Sequence, residues 1–266
     1  AKVLNYATIK HQIGSTSKPL FDYGPAIEYL NWGTGEPIVD EKYSYTNGGN
    51  VNNWDLKYMG KMTITDALRM SRNIPAIKTF QKVPSSEIQR FVTNLNMHPE
   101  AGMHEAHAIG GYAGESPIDM AAAYAAFANG GYYITPHSYT KIELRDTGEV
   151  IEKKVEKSRA MSEETAYMVM SMLQETKTYA LGNYSNISGV TFGAKTGTTN
   201  YPDSAFSLYN LPSGSVNDLW VVGTSPTYAL SVWYGYDSIK PENVEAGYIN
   251  RYNTIEHTRL FQTLGK

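Results

Sequence analysis

The chain is organised around one stretch, Gly193-Ala194-Lys195-Thr196-Gly197-Thr198-Thr199-Asn200. Lys195 supplies positive charge, and the hydroxyls of Thr196 and Thr198 supply hydrogen-bond donors, a combination that suits an anionic group such as a carboxylate. Gly197 leaves room for close approach to a strand edge, where a substrate can pair as an added strand. Because a Lys-Thr-Gly triplet also recurs by chance, it indicates a binding site only in company with other motifs.

Two further motifs precede it, Ser15-Thr16-Ser17-Lys18 and Ser71-Arg72-Asn73. Taken singly, the first is most simply a helix cap followed by a surface lysine, and the second a helix end. The motifs are far apart along the chain, so they can meet only in the folded protein. Their presence together, in this order, favours one shared active site over three unrelated local structures.

The first motif can provide a nucleophile and its base. A serine hydroxyl attacks poorly until a neighbouring group accepts its proton. On a helix, residues three apart share a face, with Cβ atoms roughly 5–6 Å apart, so the Lys18 amine can reach Ser15 Oγ. The amine must be neutral, although a lysine has an ordinary pKa of about 10.4. Burial and a second cation such as Lys195 both lower that pKa.

The other two motifs complete a plausible set of roles. Ser71 can hydrogen-bond to Lys18 and relay the proton toward a leaving amine, and the amide of Asn73 suits a peptide bond of the substrate. The backbone N–H groups of Ser15 and Thr198 are our candidates for an oxyanion hole, since those of Ser15 would lie at a helix N-terminus. One such donor is typically worth about 2.7–4 kcal/mol of barrier.

Composition excludes several classes of protein and site. The 266 residues carry a formal charge of −3 without a basic block, which argues against a nucleic-acid partner. The absence of cysteine excludes disulfides and thiol catalysis. His104 and His107 are spaced like metal ligands but have no third partner, so we predict neither a metal nor a cofactor. No apolar run of about 18 residues predicts a membrane span, and no signal peptide is present.

Hydrophobic periodicity places helices early and strands late, which predicts an α+β fold with an antiparallel sheet. The predicted strands are Val190–Thr198, Leu219–Thr224 and Ala229–Tyr236. The predicted helices begin at Thr63, at Ser86 with a Ser86–Gln89 capping box, at Ser116, at Ser162 and near Arg251. Residues 34–57 are predicted to form a long ordered loop, and residues 139–155 an exposed hairpin.

At this point the sequence resembles a known family. The segments Gly14–Pro19, Thr63–Ala76, Ala121–Gly131 and Ala194–Thr198 are similar to the transpeptidase domain of class A (bifunctional) penicillin-binding proteins. The sequence of these segments is most similar to that of the family members from Gram-positive cocci and related Firmicutes. The similarity runs from about residue 3 to residue 240, nearly the whole chain.

The resemblance implies a fold and a reaction. The fold is like that of serine β-lactamases, with a five-stranded antiparallel sheet, flanking helices and a helical subdomain. The reaction is D-Ala-D-Ala transpeptidation of peptidoglycan stem peptides, in which Ser15 forms an acyl-enzyme and an amine resolves it. β-Lactam antibiotics would acylate the same serine. Carried over by motif position, the remaining roles are base for Lys18, relay for Ser71, amide binding for Asn73, and carboxylate binding for Lys195, Thr196, Gly197 and Thr198.

The resemblance also implies that residues 1–266 are one transpeptidase domain cut from a longer protein. The family's domain has strands before the first motif, whereas this chain begins 14 residues ahead of Ser15. We therefore expect a missing N-terminal part to pair with the sheet. A glycosyltransferase domain and a membrane anchor would lie there too, and would hold the domain at the extracytoplasmic face of the cell membrane.

Three alternatives use the same motifs. A β-lactamase needs a group that activates water, such as a glutamate in a Glu-x-x-Leu-Asn segment after Asn73, and neither Glu87 nor Glu105 has that context. A D,D-carboxypeptidase would use the same residues with water as acceptor. A non-catalytic β-lactam sensor would be acylated without turning over a peptide. The sequence leaves these alternatives open.

Overall fold

The computed structural model describes residues 4–100, 102–236 and 249–266. In this part of the chain the α-helices are α1 Gly24–Leu30, α2 Ile64–Arg69, α3 Asn73–Lys82, α4 Ser85–Asn94, α5 Pro117–Ala128, α6 Glu163–Leu181, α7 Asp203–Leu208 and α8 Glu256–Leu264. The strands are β1 Pro37–Asp40, β2 Tyr43–Ser44, β3 Asn50–Val51, β4 Gly60–Thr63, β5 Tyr132–Ile134, β6 Lys141–Glu143, β7 Val150–Glu152, β8 Lys157–Arg159, β9 Gly193–Asn200, β10 Ser215–Thr224, β11 Ala229–Gly235 and β12 Ile249–Asn250.

The main sheet is built around β10. Strands β9 and β11 flank β10 in antiparallel pairing, and the short β12 pairs with its first two residues. All of β10 except Asn217 is buried, because both faces of this central strand are covered. The three predicted strands are thereby confirmed. The described residues give this sheet four strands, whereas the resemblance implied five.

Helices α5 and α6 pack on the sheet, and both begin where the sequence predicted. The Ser116 side chain caps α5 by accepting from the Asp119 N–H, and Ser162 caps α6 through Thr165. Removing the four orphan N–H groups of a helix start from water is costly, so such caps fix where these helices begin. The methionines of α6 at positions 170 and 172 are buried core residues, as expected.

Helices α1, α3 and α4 form a second group, in which α1 contacts the other two and also α6. The apolar side chains of these helices share one continuous core with the sheet. Four of its large side chains are fully buried: Phe21, Leu68, Phe91 and Trp220. This core fixes the three motif-bearing segments relative to one another. In the described part of the chain, no helix is long and apolar enough to cross a bilayer.

Two local predictions were wrong. Helix α4 begins at Ser85 after Pro84, and no side-chain capping bond forms, so the Ser86–Gln89 capping box does not exist. Proline at the N-cap supplies a fixed φ instead of a side-chain acceptor. Residues 34–57 contain the strands β1, β2 and β3 and are not simply a loop. By contrast the hairpin is confirmed as β6 paired with β7.

Candidate active site

The segment that carries Ser15 enters the core as a 3-10 turn followed by a wider, π-helical turn. Gly14–Ser17 is a 3-10 turn, Pro19–Tyr23 is a π-helical turn, and α1 continues from there. Gly14 has φ +52°, and a Cβ at Gly14 would lie 2.5 Å from the Thr198 carbonyl oxygen. Only glycine fits this position. Because Gly14 has no side chain, the segment that carries Ser15 can lie against the Thr198 backbone.

A second close contact joins β9 to the same segment. A Cβ at Gly197 would lie 2.3 Å from the Ile13 carbonyl oxygen and 3.0 Å from a Thr16 methyl carbon. The space that a Cβ would take at Gly197 is therefore filled by the protein's own chain, while pairing of a substrate along the edge of β9 stays a prediction. Gly197 lets the Ser15 segment pack directly on β9.

The S-x-N motif lies where α2 gives way to α3. Thr63 caps α2 as predicted, and the helix ends at Arg69. Ser71 then adopts φ +54°, a left-handed conformation that is uncommon for a residue with a side chain. This sharp turn separates the two helices and turns Ser71 and Asn73 toward the buried lysines.

Four polar side chains meet in one cluster. Lys18 Nζ donates to the Ser71 carbonyl oxygen at 2.7 Å and lies 3.2 Å from Ser71 Oγ. It also donates to Asn73 Oδ1 at 2.8 Å. From the opposite side, Lys195 Nζ donates to Ser71 Oγ at 2.8 Å. Ser71 Oγ thus lies between the amines of the two lysines.

The structure does not bring every predicted pair into contact. Among the described residues, Ser15 Oγ has no hydrogen-bond partner, and the bonds of Lys18 go to Ser71 and Asn73 instead. In enzymes without substrate, catalytic hydrogen bonds are often long and tighten only when substrate binds. Ser15 is half-buried and Thr198 is exposed, so both can be reached from solvent.

The two lysines have strongly altered pKa values. Lys18 is fully buried, and burial, followed by the charge of Lys195, holds its pKa well below the ordinary value. The nearby Asp22 carboxyl opposes this effect. Burial also lowers the pKa of Lys195 to about 7. Removal from water penalises the charged form of an amine, and two adjacent ammonium groups repel each other.

We expect the limiting rate of acylation by penicillin to rise with pH and to level off well below the ordinary lysine pKa of about 10.4. Lys18, the predicted base, accepts a proton only when neutral, and burial lowers its pKa, so it is neutral at a lower pH than an ordinary lysine. Lys195, whose pKa is about 7, loses its positive charge as the pH rises, which should weaken binding of the antibiotic's carboxylate and leave the limiting rate unchanged. Stopped-flow acylation between about pH 5 and pH 10 measures the rise. A rate that keeps climbing tenfold per unit beyond about pH 9 would indicate an ordinary lysine.

Arg72 is a residue of the site whose role the sequence analysis missed. It is fully buried between the helices. Its Nε donates to Asp40 Oδ2 at 2.8 Å, and one terminal nitrogen donates to both Asp55 carboxylate oxygens at 2.9 Å. Asn53 donates to the same Asp40 at 2.7 Å and accepts from the Asn73 backbone N–H at 2.8 Å.

This network fastens the turn between Ser71 and Asn73 to the strands β1 and β3 and the loop beyond them. The side chain between two motif residues is therefore a structural anchor. Its only sequence signal was an arginine between Ser71 and Asn73, with two carboxylates many residues upstream. Such a signal cannot be recognised before the strands around Asp40 are known.

Arg72→Met is expected to lower the free energy of unfolding by about 3–5 kcal/mol, because it leaves the buried Asp40 carboxylate without its cation. Denaturant unfolding measures the loss. Arg69→Met is the matched control, since the Arg69–Asp66 pair is partly exposed and worth at most about 1 kcal/mol. Adding Asp40→Asn to Arg72→Met should recover part of the loss. Equal effects of the two arginine substitutions would contradict the anchor role.

A second buried carboxylate fixes the far end of β9. Asp218 on β10 accepts from Thr199 Oγ1 on β9 and from Trp233 Nε1 on β11, the latter at 2.8 Å. The His11 ring stacks on Trp233 with centroids 3.7 Å apart. The contacts of Asp218 and Trp233 therefore join the strands β9, β10 and β11 to the segment before Ser15, next to Thr198.

The site can be compared with known proteins. A model of the penicillin binding protein transpeptidase domain family matches residues 2–250 of the chain. The chain belongs to this family. Its three motifs therefore lie in a penicillin-binding transpeptidase domain, and the family resemblance found in the sequence is confirmed.

Curated relatives of this transpeptidase domain come from Firmicutes. Penicillin-binding protein 1A/1B of Bacillus subtilis is 42% identical over 236 residues, covering 87% of this chain and 26% of the relative. Penicillin-binding protein 1A of Streptococcus pneumoniae is 37% identical over 235 residues, covering 85% of this chain and 32% of the relative. The chain thus spans about a third or less of the length of these relatives.

Solved structures support the same fold. The penicillin-binding protein PonA1 from Mycobacterium tuberculosis superposes with a TM-score of 0.81 at 21% identity, covering 99% of this chain and 70% of that one. The PonA1 structure in complex with penicillin V gives a TM-score of 0.77 at 20% identity, covering 99% of this chain and 71% of that one. The predicted α+β fold of a penicillin-binding transpeptidase domain is confirmed.

Metal chemistry gains no support from the geometry. In the ranges 4–100, 102–236 and 249–266, no group of three or more metal-ligating side chains comes together. His107, singled out with His104 by spacing, is buried, and its Nδ1 accepts from the His104 backbone N–H at 3.2 Å. This pair has a local structural role within its own turn.

Proposed function

We propose that this domain is a serine D,D-transpeptidase that cross-links peptidoglycan stem peptides ending in D-Ala-D-Ala. One observation carries the proposal: hydrogen bonds of 2.7–3.2 Å join Lys18, Ser71, Asn73 and Lys195 in one cluster, in which both lysines are buried. This cluster adjoins the Ser15 segment, which packs on the Thr198 backbone.

In the proposed first step, neutral Lys18 accepts the proton of Ser15 Oγ, which attacks the carbonyl of the penultimate D-Ala. The backbone N–H groups of Ser15 and Thr198 stabilise the negative charge on the carbonyl oxygen. The proton then passes from Lys18 through Ser71 Oγ to the leaving amine, and the last D-Ala departs. An amine of a neighbouring stem peptide attacks the ester and restores Ser15.

β-Lactams would enter the same step. Ser15 opens the four-membered ring, but the released amine stays attached to the acyl group. It therefore blocks the position from which an acceptor amine would attack. This difference predicts a short-lived peptide acyl-enzyme and a long-lived antibiotic one.

The terminal carboxylate of the substrate is proposed to bind beside Lys195, Thr196 and Thr198. Thr198→Val is expected to raise the β-lactam concentration that gives half-maximal acylation rate about 10- to 100-fold, with a smaller change in the limiting rate. A hydrogen bond to a charged group contributes about 1.5–3 kcal/mol, which corresponds to that range.

Concentration-dependent acylation kinetics separate the two parameters. Thr191→Val is the matched control, because Thr191 is exposed and lies before β9 begins. A loss confined to the limiting rate in Thr198→Val would move Thr198 from carboxylate binding to the chemical step.

The partners of Glu87 and Glu105 disfavour the β-lactamase alternative, which needs a carboxylate that activates water. The Glu105 carboxylate accepts from Tyr43 OH at 2.8 Å and from the Thr46 backbone N–H at 2.8 Å. Glu87 pairs with Arg90 at 2.6 Å on the surface of α4. Both carboxylates are engaged in local structure, so neither is placed to activate a water on the acyl-enzyme.

Intact-mass spectrometry after penicillin treatment tests the proposal. A lasting single adduct is expected, whereas rapid loss of the adduct would indicate a β-lactamase. A D-Ala-D-Ala thioester is then supplied with and without an acceptor amine. Transfer to the amine supports transpeptidation, hydrolysis alone indicates a carboxypeptidase, and acylation without any thioester turnover indicates a sensor.

The cellular setting belongs to the same proposal. Peptidoglycan lies outside the cytoplasmic membrane, so a domain that cross-links it works at the extracytoplasmic face. We propose that an N-terminal anchor of the full-length protein holds the domain there. We also propose that strands from the N-terminal part of that protein complete the sheet. No nucleic acid or cofactor takes part in this scheme.

A further inference from the structure

The loop between β3 and β4 exposes four large apolar side chains within six residues. Leu56 is 74% exposed, Trp54 53%, Met59 49% and Tyr58 45%. We call residues 54–59 the Trp54 loop. Exposed apolar residues are normally scattered singly over a protein surface, and a group of neighbours indicates an interaction site. None of the proposed catalytic steps uses these side chains.

The backbone of the Trp54 loop is held from within. Arg72 donates to both Asp55 carboxylate oxygens at 2.9 Å and also to the Lys57 carbonyl oxygen. The Trp54 indole N–H donates to the Met70 carbonyl oxygen at 3.1 Å. These bonds fasten the loop to the S-x-N turn. The apolar side chains are therefore presented by a fixed backbone and are not exposed through local unfolding.

Leu56 lies in an unfavourable backbone conformation. Its φ is +58°, in the left-handed region that a residue with a side chain rarely adopts. Its N–H donates to the Asn53 carbonyl oxygen at 3.0 Å, which closes a tight turn. Backbone strain and an exposed leucine both lower stability. Their combination at one residue therefore favours a binding role over a purely structural one.

The charge around the Trp54 loop is positive. Three exposed lysines lie in the loop or beside the paired ends of β1 and β4, and have no ion-pair partner among the described residues: Lys42, Lys57 and Lys61. The neighbouring carboxylates are already engaged, Glu41 with Lys78 at 2.6 Å and Asp55 with Arg72 at 2.9 Å. Glu36 lies at the opposite end of the β1–β4 pair. The loop therefore combines exposed apolar side chains with uncompensated positive charge.

This combination matches the surface of an anionic lipid bilayer. Trp and Tyr concentrate at the membrane–water interface, and a lysine near that surface is attracted to anionic headgroups. A few apolar side chains with basic charge nearby are enough for reversible attachment to a membrane. A stable protein interface buries at least about 1,000 Å² in total, more than a loop of this size supplies. The chemistry therefore favours a lipid surface over a partner protein.

We propose that the Trp54 loop inserts its apolar side chains into the headgroup region of an anionic lipid bilayer, with Lys42, Lys57 and Lys61 facing the lipid phosphates. Attachment is weak and reversible, because so few side chains enter the membrane. The segment just before the loop also contacts the cleft wall, since the Asn52 carbonyl oxygen accepts from Asn73 Nδ2 at 2.8 Å. Attachment therefore turns the S-x-N side of the cleft toward the bilayer. The proposal does not depend on the proposed reaction.

Vesicle sedimentation tests the proposal with the purified domain. The vesicles contain either phosphatidylcholine alone or an equal mixture of phosphatidylcholine and phosphatidylglycerol. We expect the partition coefficient to be at least about tenfold higher for the anionic mixture, since each lysine near the surface adds attraction. The chain carries a formal charge of −3, so this preference must arise from a local group of lysines. Added salt should remove the preference.

Leu56→Asn is expected to lower the partition coefficient for the anionic mixture about tenfold, because the side chain no longer gains from leaving water. Asparagine tolerates the left-handed conformation, so the variant should remain folded with an unchanged thermal midpoint. Leu208→Asn is the matched control, because Leu208 is also 74% exposed but lies on α7. The control should bind within about twofold of the unmodified domain.

Failure to sediment with the anionic mixture, equal binding to both kinds of vesicle, or equal losses in the two leucine variants overturns the proposal. Sedimentation velocity without vesicles tests the other occupant, a second copy of this chain. A concentration-dependent dimer that is lost in Leu56→Asn would assign the loop to that contact and overturn the lipid proposal. Penicillin labelling of Leu56→Asn should stay unchanged, because the leucine lies outside the proposed catalytic machinery.

Discussion

Ser15→Ala is expected to abolish covalent labelling by penicillin while leaving the domain folded. The predicted nucleophile is the only atom removed, and Ser15 Oγ has no hydrogen-bond partner among the described residues, so its loss costs the fold little. Gly14 still holds the segment against the Thr198 backbone. Intact-mass spectrometry should show no adduct, and the thermal midpoint should stay close to that of the unmodified domain.

Ser17→Ala is the control, because Ser17 lies two residues further in the same turn and is fully buried. Its Oγ donates to the Ala108 carbonyl oxygen at 2.8 Å. Removal of this hydrogen bond costs about 1 kcal/mol of stability. The Ser17 variant should therefore be slightly less stable yet fully labelled. An adduct on the Ser15 variant would place the nucleophile elsewhere.

The sequence was sufficient to predict the features that repeat along the chain. Strand-like runs predicted β9, β10 and β11, with apolar alternation in the last of them, and the caps Thr63, Ser116 and Ser162 predicted helix starts, because these signals act over a few residues. The motifs predicted which side chains share a site. Their meeting in one hydrogen-bonded cluster agrees with that prediction, while their catalytic roles remain predictions.

What the sequence could not supply depends on long-range packing. The φ of +54° at Ser71 and the burial of Arg72 require Asp40, Asn53 and Asp55, which lie in a segment that we expected to be a loop. The close contact at Gly197 required the Ile13 backbone as neighbour, and no local pattern identifies which surface a glycine faces. In both cases an element of the site is held by residues outside its motif.

Lys18 is likewise held by residues outside its own motif. Spacing placed Lys18 one turn from Ser15, but the structure shows that its amine is oriented by Ser71 and Asn73 from the S-x-N turn. The predicted base, Lys18, is thus positioned by the second motif as much as by the first. Complete burial then favours the neutral amine that the reaction needs.

Lys18→Met is expected to slow penicillin acylation by about 10²- to 10⁴-fold, the usual contribution of a positioned general base. Methionine keeps the approximate volume of the buried side chain, so the domain should remain folded. The residual rate should also lose the rise with pH that titration of Lys18 gives to the unmodified domain. Stopped-flow acylation at several pH values measures both effects.

Lys78→Met is the control for the loss of a lysine outside the site. Lys78 lies on α3, and its Nζ pairs with Glu41 at 2.6 Å near the surface. We expect this variant to react at the unmodified rate, because surface ion pairs contribute little to stability. If Lys18→Met also reacts at that rate, Lys195 acting through Ser71 Oγ becomes the base. The 2.8 Å contact between those two groups then becomes the catalytic one.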